Sequence, residues 1–198
     1  MQVFVVRELI LALWVVWLLY WAWAAARAKT TQRRESLTSR LSHILPLLVG
    51  AWLIFAPRLR LGWLSTPLLP ETPARYLLAL VLVALGFGFS VWARVHLGRN
   101  WSAAVTLKHA HELIRSGPYA RVRHPIYTGL LVAFLGSAIA CGEGRALLGV
   151  AIILFAFVRK LRIEEALMSA TFPAEYARYR AEVPALLPFT KVRRSAPR

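Results

Sequence analysis

The chain has 198 residues, which is the length of one domain, and 58% of them are hydrophobic. Its apolar runs are too long for a water-soluble core, since runs of about 18 or more apolar residues indicate membrane spans. The formal net charge of +16 does not indicate a nucleic-acid partner, because the basic residues lie between the apolar runs. Cys141 is the only cysteine, so the sequence excludes an intrachain disulfide and a cysteine metal cluster, and we expect no metal site.

Five transmembrane helices are predicted in chain order. They cover roughly residues 4–26, 41–55 (or on to 64), 74–97, 126–141 and 146–158. A signal peptide cut near residue 26 is the alternative for the first helix, but no basic leader precedes Arg7 and Glu8 follows it at once. The pattern therefore predicts an all-α integral membrane protein in a single domain.

Prolines and polar turns refine these boundaries. Pro46 should kink the second helix or mark a late start. Thr72-Pro73 is typical of an N-cap followed by proline at the first helical position. The fourth and fifth helices should form a hairpin through a tight turn at 141–144, and the fifth should continue into water through Met168.

Two stripes of small residues indicate close packing between helices. They are Leu80, Ala84 and Gly88 in the third helix, and Gly129, Ala133, Ser137 and Cys141 in the fourth. Because it belongs to the second stripe, Cys141 is expected to be a packing residue rather than a nucleophile.

Lysine and arginine are distributed unevenly between the two sides of the predicted bundle. The side that holds the first loop, the third loop and the C-terminus carries most of them. The other side has only Arg7, Arg58, Arg60, Arg75 and Arg145. The positive-inside rule then places the N-terminus outside and the C-terminus in the cytoplasm, in a membrane that the sequence does not identify. Every polar cluster of interest falls on the cytoplasmic face, as a single active site requires.

The stretch 116–129 is a cationic loop that runs into an apolar segment beginning at Ile126. Pro125 suits the first position of a helix, whose first turn leaves its N–H groups free and directs the positive end of its dipole toward the loop. Arg123 and His124 lie at the same point, so together they predict an anion site. A basic loop held by phospholipid headgroups is the alternative, although lipid attraction needs charge but not this residue order.

A motif within this stretch points to a family. Residues 117–129 read Gly-Pro-Tyr-x-x-x-Arg-His-Pro-x-Tyr-x-Gly, which resembles the signature of the isoprenylcysteine carboxyl methyltransferases, integral membrane enzymes that use S-adenosylmethionine (SAM). A second pattern agrees with that family in order and spacing. It consists of Glu164-Glu165, Phe172, Glu175-Tyr176, Tyr179, Val183-Pro184, Leu187-Pro188-Phe189 and Lys191. The resemblance covers roughly 98–191, whereas 1–97 resembles the family only in its hydrophobic helices and 192–198 is a basic tail.

The resemblance implies SAM as the cofactor, in a cytoplasmic pocket built from the loop before the fourth span and the C-terminal helices. The residues that it matches to SAM contacts are His111, Glu112, Leu113, Ile114, Tyr119, His124, Pro125, Ile126, Tyr127 and Glu164. Arg123, from the anion-site argument, and Glu165, as the alternative to Glu164, complete the predicted cofactor set.

The acceptor is predicted from the chemistry of methyl transfer. A carboxylate is already ionised, so it needs a cation to orient it and to offset its loss of water, but no general base. An amine needs a base, and the absence of aspartate from the sequence favours a carboxylate. In the family, an arginine four residues before the cofactor glutamate orients this group. Lys160 stands there in this chain, and lysine cannot grip a carboxylate bidentately, so we predict Arg162, with Lys160, as the orienting residues.

The leading functional prediction is a SAM-dependent methyltransferase acting on a lipophilic acceptor of the isoprenylcysteine type, with membrane lipids as further partners. A phospholipid-amine or thiol methyltransferase and a sterol-reductase-like enzyme are alternatives. The reductase would need a nicotinamide site, but no Gly-x-Gly-x-x-Gly run follows a strand here. The non-enzymatic alternative is a lipid-binding membrane protein. No signal for an oligomeric state is present.

Overall fold

The computed structural model describes residues 2–26, 36–56, 59–98 and 113–188. These ranges contain six α-helices and, apart from one isolated bridge, no β-structure. The helices are α1 Gln2–Ala26, α2 Leu37–Phe55, α3 Pro73–Leu97, α4 Pro125–Cys141, α5 Gly144–Thr171 and α6 Pro173–Glu182. Short 3₁₀ helices lie at Gly62–Ser65 and Gly117–Ala120. The predicted all-α architecture is confirmed, with a helix at each of the five predicted spans.

The predicted helix ends follow from local capping. The Thr72 hydroxyl accepts a hydrogen bond from the Arg75 backbone N–H at 3.3 Å, and Pro73 occupies the first position of α3. Pro125 occupies the first position of α4 in the same way. Gly142 ends α4 in the left-handed conformation, at φ 73°, which costs glycine nothing. The chain therefore turns within two residues to form the predicted α4–α5 hairpin.

Of the two alternatives predicted for Pro46, the late start of α2 is wrong. The helix begins at Leu37, where the Ser36 hydroxyl caps the Ser39 N–H at 3.3 Å, and Pro46 lies inside the helix. The cap at Ser36 decides the boundary, because an internal proline removes only one hydrogen bond of a helix that neighbouring helices support.

The first five helices alternate in direction. The Arg94 guanidinium at the end of α3 donates to the carbonyl of Ala24 at the end of α1 at 3.4 Å, so these two helices run parallel. Arg145 at the start of α5 donates to the carbonyl of Leu53 at the end of α2 at 2.5 Å, so these two run antiparallel. Such alternation is what successive membrane crossings require.

Three of these helices are long and apolar enough to cross a bilayer. They are Phe4–Ala26, Leu37–Phe55 and Pro73–Leu97. The apolar helix α4 has 17 residues, and α5 is apolar in its first half and charged beyond Val158. The chain is therefore an integral membrane protein in which α5 emerges from the bundle on the side where α4 begins.

Small residues bring α3 and α4 together, but only one predicted stripe is correct. Gly129, Ala133 and Ser137 of α4 are buried, as predicted. In α3, however, Ala84 and Gly88 are exposed. The face of α3 that packs is instead formed by Ala79, Val83, Gly86, Ser90 and Ala93. Because α3 carries small residues on more than one face, spacing alone could not select the face that α4 covers.

Two glycines of α3 test this packing. A methyl group at Gly86 would lie 2.7 Å from the backbone nitrogen of Ala133, whereas one at Gly88 would meet no described atom within 4 Å. We expect Gly86→Ala to lower the free energy of unfolding by about 1–3 kcal/mol, as overpacking does. Gly88→Ala should be neutral or stabilising, because alanine favours helix. Unfolding of the two variants in detergent measures the difference, and equal stabilities would contradict this α3–α4 interface.

Indole groups of α1 hold that helix to the same interface. Trp14 Nε1 donates to the Ser137 hydroxyl at 2.9 Å, and Trp17 Nε1 donates to the Ser90 hydroxyl at 3.0 Å. These side chains satisfy each other inside an apolar bundle, where an unpaired donor would be costly. Ser137 and Ser90 therefore serve both as small packing residues and as hydrogen-bond acceptors for α1.

Candidate cofactor site

The site lies where α4 begins and α5 leaves the apolar part of the bundle. The 3₁₀ helix Gly117–Ala120 leads to His124, which precedes the first residue of α4. The second half of α5 extends past this point to Thr171 and carries Glu164 and Glu165. Both glutamates bond to residues about 40 positions earlier in the chain.

Glu164 contacts a tyrosine and a histidine, and a lysine lies close enough to act on its charge. The Tyr127 hydroxyl donates to Glu164 Oε1 at 2.5 Å, and His124 Nδ1 lies 3.5 Å from Glu164 Oε2. Lys160 precedes Glu164 by one helical turn, and its ammonium lies 5.5 Å from the centroid of the Tyr127 ring. The Glu164 side chain is 26% exposed.

Glu165 is more deeply buried, with 10% of its side chain exposed, and it is surrounded by cations. Arg123 donates to Glu165 Oε1 through Nε at 2.8 Å and through Nη2 at 2.7 Å. His124 Nε2 lies 3.2 Å from the same oxygen, and Arg180 Nε lies 3.6 Å from Oε2. The predicted anion site at Arg123 and His124 is therefore filled by a carboxylate of the chain itself.

The two glutamates and the histidine between them stabilise each other's charged forms. Burial by itself would lower the pKa of His124, but hydrogen bonds and charges from Glu164 and Glu165 outweigh it and raise that pKa. Burial would raise the pKa of Glu164, yet the hydrogen bond from His124, the charge of Lys160 and the Tyr127 hydroxyl lower it. The pKa of Glu165 is lowered against burial by His124 and Arg123.

Three aromatic rings stack beside Glu164. The Tyr127 ring stacks between the His124 imidazole, at 5.6 Å, and the Phe157 ring of α5, at 5.0 Å between centroids. This stack fixes the direction of the Tyr127 hydroxyl toward Glu164.

The C-terminal segment 183–186 pairs with the loop and with the first turn of α4. The backbone N–H groups of Arg123 and His124 donate to the carbonyls of Pro184, at 2.9 Å, and Ala185, at 3.0 Å. The Thr128 hydroxyl donates to the Leu186 carbonyl at 2.7 Å. The family resemblance includes this segment. The sequence did not predict that its carbonyls bind the backbone of the loop, because bonds to carbonyls leave no pattern of side chains.

Tyr119 links α3, the loop and α6. Its side chain is buried, its ring stacks on His96 at 6.5 Å, and its carbonyl accepts the Tyr179 hydroxyl at 2.6 Å. Burial raises the pKa of both tyrosines. Leu113 packs against the apolar cluster that includes Tyr179 and Val183. Tyr119 and Leu113 therefore support the framework of the site, and their contact with SAM stays a prediction.

The structure brings six of the predicted site residues into one cluster. They are Arg123, His124, Tyr127, Lys160, Glu164 and Glu165. Pro125 is fully buried and Ile126 packs against the helix core, so both support the helix start. Ile114 is half-buried. Arg162 is exposed, on a different face of α5 from Lys160 and Glu164. His111 and Glu112 lie outside the described residues.

The fold and the site define an integral membrane protein with a polar, carboxylate-bearing cluster where α4 begins and α5 leaves the apolar part of the bundle. The family model described as phospholipid methyltransferase matches residues 74–175, which is more than half of the chain. The chain belongs to this family.

Two curated relatives and one solved structure are similar to this chain. The chain is 33% identical over 113 residues to the protein-S-isoprenylcysteine O-methyltransferase of Schizosaccharomyces pombe, which covers 56% of this chain and 48% of that protein. It is 30% identical to the cobalt-zinc-cadmium resistance protein CzcN of Cupriavidus metallidurans, with 58% and 61% covered. A structure of the eukaryotic intramembrane Ras methyltransferase ICMT aligns with a TM-score of 0.51 at 25% identity, covering 77% of this chain and 51% of that one. The chain thus spans about half of these relatives' lengths.

Proposed function

We propose that the chain is a membrane methyltransferase that binds SAM and methylates a lipophilic acceptor, with a carboxylate of the isoprenylcysteine type as the favoured acceptor. The observation that carries this proposal is Glu164, whose partly exposed side chain accepts from Tyr127, lies 3.5 Å from His124 Nδ1 and follows Lys160 by one helical turn. Membership of a methyltransferase family and similarity to two named methyltransferases support the class of reaction.

The residues of the cluster fit the polar part of SAM. Glu164 would bind the positively charged amino group through a charged hydrogen bond, which is among the stronger kinds. Tyr127 and His124 fix the direction of the Glu164 carboxylate. When bound, the cofactor supplies a methyl group attached to a positively charged sulfur. His111 and Glu112 remain proposed contacts through the family resemblance.

The charges of the site favour a carboxylate acceptor. An amine acceptor must lose a proton to a base, but the lowered pKa of Glu164 and the raised pKa of His124 make both poor bases near neutral pH. Lys160, beside Glu164, would attract an acceptor carboxylate and repel an ammonium group. Its role is to neutralise and place the acceptor, so that the reacting atoms meet in line.

Calorimetric titration of the purified protein with SAM and, separately, with NADPH tests the class of enzyme. SAM binding without NADPH binding is expected, and NADPH binding alone would favour the reductase alternative. Transfer of a labelled methyl group to a panel of lipid carboxylates, amines and thiols then identifies the acceptor class. Absence of binding to either cofactor would favour the non-enzymatic, lipid-binding alternative.

We further propose that the cofactor site faces the cytoplasm, with the N-terminus outside. The uneven distribution of lysine and arginine supports this orientation. A reporter fused after Arg198 should read cytoplasmic, and one inserted at Glu71, in the connection before α3, should read external. The same compartment for both reporters would contradict five crossings.

A further inference from the structure

The two neighbouring glutamates of α5 differ in what they can reach. Glu164 is the more open of the two and directs its carboxylate toward the Tyr127 hydroxyl. Glu165 is enclosed by Arg123, His124 and Arg180, and its carboxylate accepts from the first two at 2.7–3.2 Å. A carboxylate held by so many donors has little capacity left for a ligand. Glu165 is therefore placed to act on the site through its neighbours.

His124 connects these carboxylates directly. Its Nε2 lies 3.2 Å from Glu165 Oε1, and its Nδ1 lies 3.5 Å from Glu164 Oε2. A neutral imidazole has one N–H and can donate to only one of them, whereas an imidazolium donates to both. The geometry thus suits the doubly protonated ring.

We propose that Glu165 is a positioning residue, which holds His124 doubly protonated and in place so that the imidazolium orients the Glu164 carboxylate for the cofactor. This inference rests on the proposed function, because it assigns Glu164 to SAM. Arg123 is the second residue that Glu165 holds in place. Its side chain binds Glu165, and its backbone N–H binds the carbonyl of Pro184. The Glu165 carboxylate therefore also helps to hold the C-terminal segment 183–186.

The protonation of His124 depends on charges from every element around it. The loop presents Arg123, and α4 presents Tyr127. From α5 come Glu164 and Glu165, with Lys160 beside them, and from α6 come Arg180 and Tyr176 near Glu165. The cations and burial oppose an imidazolium, while the two carboxylates favour it and prevail. Neutralising one carboxylate should therefore lower the pKa of His124.

Glu165→Gln tests the proposal, since it preserves shape but removes the charge. Titrations with SAM across a pH series should show about a tenfold weaker affinity, in the range expected for loss of a charged hydrogen bond. The alkaline limb, which is the fall in SAM affinity as the pH rises, should also lie at a lower pH than in the wild type. The reason is that His124 loses its second proton at a lower pH. Glu182→Gln is the matched control. It neutralises the carboxylate paired with Arg115 and should leave the limb unmoved.

A purely structural role predicts a different result. It would weaken the affinity for SAM equally at every pH. An unmoved alkaline limb in a folded Glu165→Gln protein would therefore overturn the inference, but not the proposal that the protein binds SAM. Should the glutamine variant not fold, Glu165→Asp retains the charge and should keep the wild-type limb despite a lower affinity. A shifted limb in Glu165→Asp overturns the inference. If the wild-type protein binds no SAM at any pH, the proposed function fails and this inference with it.

Discussion

Glu164→Ala should lower the affinity for SAM by about 10- to 100-fold, because a charged hydrogen bond contributes roughly 1.5–3 kcal/mol. The variant also removes the carboxylate that accepts from the Tyr127 hydroxyl and lies beside His124 Nδ1. Removal of the carboxylate from a partly exposed position should be tolerated by the fold, since the apolar bundle does not depend on it. Calorimetry with SAM, accompanied by thermal unfolding of the same preparation, separates lost binding from lost structure.

Two companion variants sharpen this test. Glu164→Gln keeps the shape of the side chain and removes its charge, so a loss of affinity close to that of Glu164→Ala would assign the effect to charge. Glu182→Ala removes a carboxylate that pairs with Arg115 away from the cluster, and it should bind SAM like the wild type. Wild-type affinity in Glu164→Ala would contradict the assignment of the cofactor to this carboxylate.

The sequence predicted the helices well because their signals are local. Long apolar runs and the proline starts at Pro73 and Pro125 depend on a few consecutive residues, and each prediction matches the structure. The face of a helix is a different matter. Gly88 and Gly86 are equally small, and only the approach of Gly129 from α4 decides which one is buried.

The candidate site was predicted as a set of residues but not as an arrangement. A motif names Arg123, His124 and Glu165, yet it does not say that the first two bind the third instead of an external anion. Nor does it reveal that carbonyls of the C-terminal segment meet the loop backbone, since any side chain could stand at those positions. Such pairing is decided by tertiary packing between segments about 60 residues apart.

The acceptor side of the site distinguishes Lys160 from Arg162. Sequence reasoning favoured Arg162, since arginine grips a carboxylate better than lysine does. The geometry favours Lys160, whose ammonium lies over the Tyr127 ring one turn from Glu164, whereas Arg162 is exposed. Residues at spacing four share a helix face, and a spacing of two points elsewhere. The larger effect on methyl transfer should therefore come from Lys160.

Lys160→Ala should lower kcat/KM for a carboxylate acceptor by about 10- to 100-fold, the effect of losing one charged hydrogen bond. Its affinity for SAM should be unchanged or tighter, because the variant removes a positive charge beside Glu164, the proposed partner of a cationic amino group. Lys160→Arg should retain or improve turnover, since the isoprenylcysteine carboxyl methyltransferases that the sequence resembles have arginine at this position. Methyl transfer from labelled SAM to paired lipid carboxylates and amines measures both variants, with Arg162→Ala as the competing assignment. A larger loss in Arg162→Ala would return the role to that residue. If Lys160→Ala instead gains activity on amines while the wild type ignores carboxylates, the acceptor is an amine, because removal of a cation favours an ammonium substrate.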